Sequence, residues 1–271
     1  MTTSPTDHSV LTATMTGGLA DLRLAHPPGT FALTPASRIA LTAVGQQRHL
    51  LSGLGLDWGS GVGGLAILAA RITAVTQVVG LEISAANVAI AQQNARENGA
   101  AHKVRFLLSD GYTPVESDDG RFLDTFSGQT SFILANPPAS DGDDGFTFRR
   151  IVLAGGRPFL RPGGVVFLNI SSQYGRERIE GLLTDAPGYA YGGVLASSGW
   201  VPFDLQRPDL RQNLRDYVNE ESAGGLRYEF GRPSGAETSY DAQTAQTWFE
   251  QTGESPLSRW EVHMFRRTAD K

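Results

Sequence analysis

The stretch LDWGSGVGGLAILAA, Leu56–Ala70, decides the fold, because it puts four glycines at the end of an apolar run. The run before them, residues 50–57, predicts a strand, and residues 63–72 predict a helix. A glycine-rich turn between a strand and a helix lets backbone N–H groups approach a bound nucleotide closely. Several nucleotides suit such a turn, so the choice depends on Asp57 and on the strands that follow.

Apolar runs and helical patterns alternate along the chain as far as residue 185. The pattern predicts strands at 50–57, 77–82, 103–110, 130–138 and 163–171, and helices from Pro35 and at 63–72, 84–99, 146–160 and 176–185. Continuous apolar strands separated by helices are typical of a parallel sheet that is covered on both faces. The sequence therefore predicts an α/β fold with a doubly wound, mostly parallel sheet.

The carboxyl-terminal third is less regular. Either residues 194–205 or residues 225–233 supply a sixth strand, and the sequence leaves this choice open. Residues 239–253 have a helical pattern. Residues 259–267 alternate between apolar and polar side chains, which predicts a last, antiparallel strand at the edge of the sheet.

Four polar residues share one position in the predicted sheet. Asp57, Glu82, Asp110 and Asn136 each stand at the carboxyl end of a strand, 25, 28 and 26 residues apart. In an open α/β sheet, ligands bind at this edge. We therefore expect the four side chains to surround one ligand.

The glycine turn also fits a dinucleotide. Gly59, Gly61 and Gly64 satisfy the pattern G-x-G-x-x-G, and Glu82 lies near the distance expected for a ribose ligand, as in an NAD(P)-dependent oxidoreductase. A pyrophosphate would then lie at the helix amino terminus, where the Asp57 carboxylate would repel it. A carboxylate at this place favours a ligand with an ammonium or sulfonium group.

The run DWGSGVG, Asp57–Gly63, resembles the first motif, D-x-G-x-G-x-G, of the class I S-adenosylmethionine-dependent methyltransferases. The resemblance extends over residues 30–175 and implies S-adenosylmethionine as cofactor and a seven-stranded Rossmann-like sheet with an antiparallel last strand. In that family the glycine turn wraps the methionine end of the cofactor, the acid after the second strand binds the ribose, and the acid after the third strand meets adenine. The implied cofactor-binding residues are Asp57, Gly59, Ser60, Gly61, Gly63, Glu82, Ile83, Asp110, Gly111 and Asn136.

The run NPPA, Asn136–Ala139, resembles the N-P-P-[Y/F/W] motif of methyltransferases that modify ribosomal RNA guanine N2, protein glutamine N5 or ribosomal proteins. The resemblance makes Asn136 and Pro137 the catalytic residues. An exocyclic amine or amide nitrogen is a poor nucleophile, because its lone pair is delocalised. The Asn136 side chain and the Pro137 carbonyl accept hydrogen bonds from this nitrogen while it becomes tetrahedral. No strong general base is needed, because the nitrogen becomes acidic once it is methylated.

The fourth place of this motif departs from the family. Ala139 stands where an aromatic ring normally stacks on the substrate. Phe146 or Phe148, in the loop that follows, would supply a ring, but both also suit the core packing of the next helix. This departure leaves a flat base less favoured as the substrate.

Two further segments near the predicted site have two interpretations each. The segment PGTFALTP, residues 28–35, is similar to the lid of methyltransferases that modify ribosomal RNA guanines or ribosomal and release-factor proteins, so that Phe31 and Thr34 close over the cofactor. It also suits a helix that begins with a proline. The acidic cluster of Asp141, Asp143 and Asp144 attracts a cationic substrate or forms a solvated loop. We name Phe31, Thr34, Ala139 and Phe146 as candidate substrate-binding residues.

These patterns divide the chain into two regions. Residues 1–45 form an N-terminal extension with the lid segment, and residues 46–271 form the methyltransferase domain. Within this domain, residues 186–258 carry no motif, and we expect them to be an insertion on the substrate side.

The composition excludes several other classes. With 40% hydrophobic residues, no cysteine and no apolar run near the roughly 20 residues of a membrane span, the sequence predicts a cytoplasmic protein without disulfides. No spacing indicates a metal site. The net charge of −5 does not favour a polyanion as ligand. Arg207, Arg211 and Arg215 recur every four residues, which indicates an ion-paired helix face or a local patch for nucleic acid.

We therefore expect an S-adenosylmethionine-dependent enzyme that methylates an amide or amino group on a protein or RNA acceptor. A small-molecule N- or O-methyltransferase is the alternative. A cofactor-binding module without turnover and an NAD(P)-dependent oxidoreductase are the further alternatives. The sequence identifies neither the acceptor nor the oligomeric state.

Overall fold

A computed structural model describes residues 7–139, 144–233 and 235–269, except for the side chains of 235–238. The amino-terminal half contains a hairpin and then alternating strands and helices. These elements are β1 (His8–Leu11), β2 (Leu22–Ala25), α1 (Pro35–Gln46), β3 (Gly53–Trp58), α2 (Gly64–Ala70), β4 (Val75–Glu82), α3 (Ala85–Glu97), β5 (Val104–Asp110), β6 (Thr113–Pro114), α4 (Ser117–Asp124) and β7 (Thr130–Ala135).

The carboxyl-terminal half completes the main sheet and adds a smaller one. Its elements are α5 (Thr147–Gly156), β8 (Leu160–Ser171), α6 (Arg176–Asp185), β9 (Tyr189–Ser197), β10 (Val201–Pro202), α7 (Pro208–Ser222), β11 (Phe230–Arg232), β12 (Gly235–Tyr240), α8 (Ala242–Thr252), β13 (Leu257–Ser258) and β14 (Trp260–Arg267). Short 3-10 helices lie at Arg48–Leu50 and Ser172–Tyr174.

The main sheet has the strand order β6-β5-β4-β3-β7-β8-β14-β9. The strands β3, β4, β5, β7 and β8 are mutually parallel, as the apolar runs predict. β6 pairs with the edge of β5 over two residues and is an eighth strand beyond the predicted seven. The prediction of a doubly wound, mostly parallel sheet is confirmed.

The last strand, β14, is antiparallel as predicted, but its predicted place at the edge is wrong. It pairs with β8 on one side and with β9 on the other. Both of its faces are covered, so Glu261 and His263 are buried together with Val262 and Phe265. The alternation along this strand therefore does not mark a solvent-exposed face. Its polar side chains bind protein groups instead, as where the Tyr191 hydroxyl contacts His263 Nδ1 at 3.0 Å.

The sixth strand is β9, and neither predicted segment matches it fully. Residues 194–205 overlap with the end of β9, and residues 225–233 lie outside the main sheet. β9 has the sequence YAYGGVLAS with mostly alternating burial, and it is the true edge strand. It also lies within the range 186–258, so the part outside the main sheet is confined to residues 201–258.

Helices cover both faces of the sheet and close two apolar cores. One core joins α1, α2, α3 and the β1–β2 hairpin to one face, with Leu41, Ile67 and Phe132 fully buried. The other core joins α4, α5 and α6 to the opposite face, with Leu153 and Ile133 fully buried. Burial on both faces explains why the central strands are continuously apolar.

Capping residues define the ends of two helices. Ser84 caps α3 by accepting a hydrogen bond from the Asn87 N–H, and Gly99 ends it with a φ of +66°. Thr34 caps α1 in a reciprocal capping box with Ser37, and Pro35 occupies the first helical position. The helix predicted from Pro35 is therefore confirmed.

Residues 201–258 form a four-stranded sheet of order β10-β13-β11-β12, together with α7 and α8. Tyr217 and Tyr228 stack with ring centroids 4.0 Å apart. Arg178 of α6 is buried, donates to Glu220 at 2.7 Å and lies 4.1 Å above the Tyr228 ring. This ion pair and ring contact join the smaller sheet to the helix that precedes β9.

The three arginines of α7 and its start bind neighbouring groups. Arg207 pairs with Asp209 at 2.5 Å, and Arg211 donates to the Leu205 carbonyl at 2.7 Å. Arg215 donates to Gln212 at 2.6 Å. Arg207 thus forms an ion pair whereas Arg211 and Arg215 bind uncharged groups, and the choice between an ion-paired helix face and a nucleic-acid patch stays open. In the described part of the chain, no helix combines the length and apolarity needed to cross a bilayer.

We expect Gly45→Ala to destabilise the protein. A Cβ at Gly45, in α1, would lie 1.8 Å from the Thr16 carbonyl oxygen, so the loop between β1 and β2 must move. Overpacking of this kind costs about 1–3 kcal/mol of unfolding free energy, measurable by urea denaturation. The control is Gly120→Ala in α4, where a Cβ meets nothing within 4 Å. It should leave stability unchanged or raise it, and equal losses in both variants would contradict the packing argument.

Candidate functional site

The four polar strand ends meet at one edge of the main sheet. Trp58, at the end of β3, pairs with Leu81 of β4 and with Ala135 of β7. Glu82 pairs with Leu108 of β5. The side chains predicted to surround one ligand therefore stand at the carboxyl ends of neighbouring strands. The chain order reverses between β3 and β7, which is where open α/β sheets bind ligands.

The glycine turn needs its glycines for two different reasons. Gly59, Gly61 and Gly63 all have positive φ, at +67°, +53° and +90°. A Cβ at Gly63 would lie 2.7 Å from the Phe106 ring, whereas a Cβ at Gly59 meets nothing within 4 Å. Gly63 caps α2, so the turn leads directly into this helix. Its backbone is thus exposed at Gly59 and packed against the sheet at Gly63.

Asp57 lies beneath this turn, fully buried. Its Oδ2 accepts a hydrogen bond from the Ala66 N–H at 3.0 Å, which ties β3 to the first turn of α2. Its Oδ1 is buried with no hydrogen-bond partner among the described residues. Burial, with a smaller contribution from the Glu82 charge, raises the pKa of Asp57 to about 8. A buried carboxylate oxygen without a partner favours a positively charged group nearby.

Glu82 connects the glycine turn to the segment before α1. Its Oε2 accepts from the Gly61 N–H at 2.7 Å, and its Oε1 accepts from the Ser84 N–H at 2.9 Å and from Asn87 Nδ2 at 3.1 Å. Asn87 Oδ1 in turn accepts from the Phe31 N–H at 2.9 Å. The Phe31 ring packs over the turn, because a Cβ at Gly61 would lie 3.0 Å from it.

The end of β5 is open and bordered by apolar side chains. Asp110 is exposed, and Gly111 has a φ of +57°. A Cβ at Gly111 would lie 3.6 Å from Trp58 Nε1 and 4.0 Å from Ile151. Ile83, after the end of β4, is 70% exposed. An exposed carboxylate between apolar side chains suits a flat heterocycle with an amino group.

Asn136 follows β7 and is half-buried. Its Nδ2 donates to the Ser37 hydroxyl at 3.2 Å, which leaves the Oδ1 for another group. Pro137 is buried, whereas Ala139 is exposed. The Arg149 guanidinium, which is buried, donates to the Pro138 carbonyl at 3.2 Å and to the Gly145 carbonyl at 2.7 Å.

Sequence reasoning missed Ser37 and Arg149. Ser37 lies 99 residues before its partner Asn136, and its only local signal is the capping box with Thr34. Arg149 stands four residues after Gly145 on the same helical turn, which predicts a local contact but not its bond to Pro138.

The candidate substrate-binding residues are dispersed. Phe146 lies in the core, with its ring fully buried 4.9 Å from that of Tyr174, so it does not face an acceptor. Phe148 is half-buried, with its ring 6.2 Å from that of Trp58. Thr34 is an exposed helix cap. Phe31, which packs against Gly61, and Ala139 are both exposed.

The acidic cluster lies only partly within the described residues. Asp144 pairs with Arg150 at 2.5 Å and accepts from the Phe146 N–H at 3.0 Å, so this carboxylate serves the start of α5. Asp141 and Asp143 lie outside the described residues. Among those that are described, no group of three His, Asp or Glu side chains converges as a metal site would require.

A glycine turn at the switch point, acids at the ends of β4 and β5 and an Asn-Pro-Pro run after β7 define a nucleotide-binding α/β domain of the methyltransferase class. Residues 21–186 match the methyltransferase small domain family, and the chain belongs to this family. The resemblance drawn from the motifs is thereby confirmed.

Curated relatives agree with this assignment over part of their length. The chain is 32% identical over 134 residues to the release factor glutamine methyltransferase of Moorella thermoacetica, covering 44% of this chain and 46% of that protein. It is 31% identical over 153 residues to the release factor glutamine methyltransferase of Burkholderia pseudomallei, covering 50% and 52%. The chain thus spans about half the length of the curated relatives it matches.

Solved structures share the fold. The T. thermophilus 16S rRNA N2 G1207 methyltransferase, in complex with AdoMet and guanosine, has 27% identity and a TM-score of 0.52, covering 69% of this chain and 48% of that one. A methyltransferase from Pyrococcus furiosus, at 16% identity and a TM-score of 0.51, covers 92% of this chain and 90% of that one. The second similarity concerns the fold alone.

We expect the stability of the cofactor-free protein to fall as the pH rises from about 6.5 to 8, above the range in which the buried His263, with its pKa lowered to about 4, acts in the opposite sense. With a pKa near 8 when folded and near 4 when unfolded, Asp57 holds a proton in the native state that the unfolded chain has released. This group therefore lowers the unfolding free energy by up to about 1.4 kcal/mol per pH unit in that interval. Asp57→Asn carries no titrating group and should show a flatter profile.

Chemical denaturation at a series of pH values measures both profiles. Asp110→Asn is the control, because the Asp110 side chain is exposed and its variant should keep the wild-type slope. Parallel profiles for wild type and Asp57→Asn would show that Asp57 is ionised in the native state.

Proposed function

We propose that this protein is an S-adenosylmethionine-dependent methyltransferase that methylates the nitrogen of an amide or amino group on a protein or RNA. The observation that carries the proposal is the position of Asn136. It follows β7, the strand that pairs with β3 before the glycine turn. Its amide nitrogen binds Ser37, so the amide oxygen takes no part in that bond.

The residues at the strand ends fit this cofactor. The glycine turn and the buried Asp57 would hold the methionine end, where a carboxylate offsets the ammonium and sulfonium charges. Glu82 would accept hydrogen bonds from the ribose hydroxyls. Asp110 would accept one from the adenine amino group, and the exposed, apolar Ile83 would pack against the adenine ring. When bound, the cofactor supplies an electrophilic methyl group on a positively charged sulfur.

The chain positions the acceptor nitrogen and disperses its charge. The Asn136 Oδ1 and the Pro137 carbonyl would each accept a hydrogen bond from one N–H of the NH2 group. These two bonds fix the plane of the group, so that the nitrogen lone pair faces the methyl donor. Both oxygens also stabilise the positive charge that develops on nitrogen. Methyl transfer leaves a cationic nitrogen that is strongly acidic, so it releases its excess proton to water.

A glutamine side chain of a protein is the acceptor that we favour. Ala139 presents no ring, and Phe146 is buried, so a flat base would lose a stacking contact worth about 1–3 kcal/mol. A carboxamide NH2 group needs only the two hydrogen-bond acceptors, the Asn136 Oδ1 and the Pro137 carbonyl, to be positioned. The release factor glutamine methyltransferases of the comparison act on such a group by name. A guanine amino group is the second candidate, supported by the 16S rRNA methyltransferase neighbour.

The first test is calorimetric titration with S-adenosylmethionine, S-adenosylhomocysteine and NADH in parallel. We expect the first two to bind and NADH not to bind. Asp57→Ala is the matched variant and should abolish this binding, because it removes both the charge and the bond to Ala66. Binding of NADH alone would overturn the cofactor assignment. Methyl transfer from labelled cofactor to a glutamine-containing release-factor peptide and to 16S rRNA then separates the two acceptors.

We expect Asn136→Ala to keep cofactor affinity within about twofold while lowering methyl transfer about tenfold or more, as for a lost transition-state contact. Single-turnover rates and cofactor titration measure the two effects. Asn219→Ala, at an exposed position of α7, is the control and should leave both unchanged. Wild-type turnover in Asn136→Ala would remove the amine-positioning role.

A further inference from the structure

Asn136 can present either end of its side-chain amide to an acceptor, and only one end suits the proposed chemistry. An acceptor NH2 group needs the Oδ1, so the Nδ2 must be held elsewhere. In the structure, Ser37 receives the Nδ2, with the two atoms 3.2 Å apart. Ser37 is 5% exposed, so water does not substitute readily for this contact.

The hydrogen bonds around Ser37 allow it to receive a donor. Its Oγ accepts from the Thr34 N–H at 3.3 Å and lies 3.0 Å from the Thr34 hydroxyl oxygen. Thr34 Oγ1 itself accepts from the Ser37 N–H at 3.2 Å. When the Ser37 hydroxyl hydrogen is directed at Thr34, only a lone pair remains for Asn136. That lone pair binds the NH2 end of the amide.

Ser37 is also fixed in place from the other side. The preceding carbonyl, of Ala36, accepts from Asn169 Nδ2 at 2.8 Å, and Asn169 lies buried on β8. The first turn of α1 is thus hydrogen-bonded to Asn136, which follows β7, and to Asn169, which lies on the parallel strand β8. A side chain held this firmly can impose an orientation on its neighbour.

We propose that Ser37 is a positioning residue for methyl transfer, which sets the orientation of the Asn136 amide so that its Oδ1 faces the acceptor nitrogen. This inference rests on the proposed function for its consequence in catalysis. The competing explanation is that Ser37 serves only the capping box of α1.

Two variants separate these explanations. Ser37→Ala breaks the capping box of α1, and Gly45→Ala crowds the same helix against the Thr16 carbonyl, so both variants should lower the melting temperature. Only Ser37→Ala also removes the contact with Asn136. We expect Ser37→Ala to lower kcat about fivefold or more with unchanged cofactor affinity, Gly45→Ala to stay within twofold, and Ser37→Thr to recover activity. In the Asn136→Ala background, Ser37→Ala should add no further loss of kcat.

A second readout does not depend on turnover. The side-chain amide signals of Asn136 in ¹⁵N-labelled protein are assigned by their absence in Asn136→Ala. They should shift in Ser37→Ala and stay in place in Gly45→Ala. Unchanged signals in Ser37→Ala, or equal losses of kcat in both alanine variants, would overturn the proposal. If wild type lacks turnover with every acceptor, the proposed function fails, and these signals still decide whether Ser37 orients Asn136.

Discussion

The site depends on one buried carboxylate. Asp57 joins the end of β3 to the first turn of α2 through its bond with the Ala66 N–H, and so fixes the ends of the glycine turn relative to each other. Gly61, inside the turn, is held from the side by Glu82 of β4. The turn is therefore positioned by two acids on neighbouring strands, not by its own flexible backbone. Burying these acids costs free energy that a cationic ligand would return.

The N-terminal segment belongs to this site as much as the sheet does. It reaches the glycine turn through Phe31 and Asn87, and it reaches the Asn-Pro-Pro run through Ser37. The two contacts lie on opposite sides of β3. Ribose hydroxyls that bound the Glu82 Oε1 would compete there with Asn87, the residue that also holds the Phe31 N–H. The helix interpretation of this segment is confirmed, whereas closure of Phe31 and Thr34 over the cofactor stays a prediction.

The sequence predicts those parts of the fold that local patterns determine. β3, β4, β5, β7 and β8 are buried on both faces, so they stand out as continuous apolar runs. β9 does not stand out, because it is an exposed edge strand with two central glycines, and β14 is misleading because polar side chains are buried within it. The second sheet has strands of two to six residues, too short for any periodicity to identify.

For the site, the motifs locate the strand ends but not the side chains that orient them. Glu82 and Asn136 are identified by family motifs, whereas Ser37 and Arg149 act through contacts between distant elements. For Phe146, the sequence leaves a substrate contact and core packing open, and the ring lies in the core. Its place after the motif suggests a substrate contact, yet the same position starts α5, where an apolar side chain packs into the core.

The Asn-Pro-Pro run gains its rigidity from two sources. Consecutive prolines fix φ and restrict the residue before them, so the direction of the Pro137 carbonyl is set by covalent geometry. Arg149 then holds the Pro138 carbonyl, and its bond to Gly145 ties that point to the start of α5. With Asn136 held by Ser37, the two oxygens that would accept hydrogen bonds from the substrate nitrogen are oriented before the substrate binds. Catalysis of a reaction that needs no strong base relies on such preorganised dipoles. A substrate nitrogen that fits between them needs no stacking ring, which is consistent with alanine at position 139.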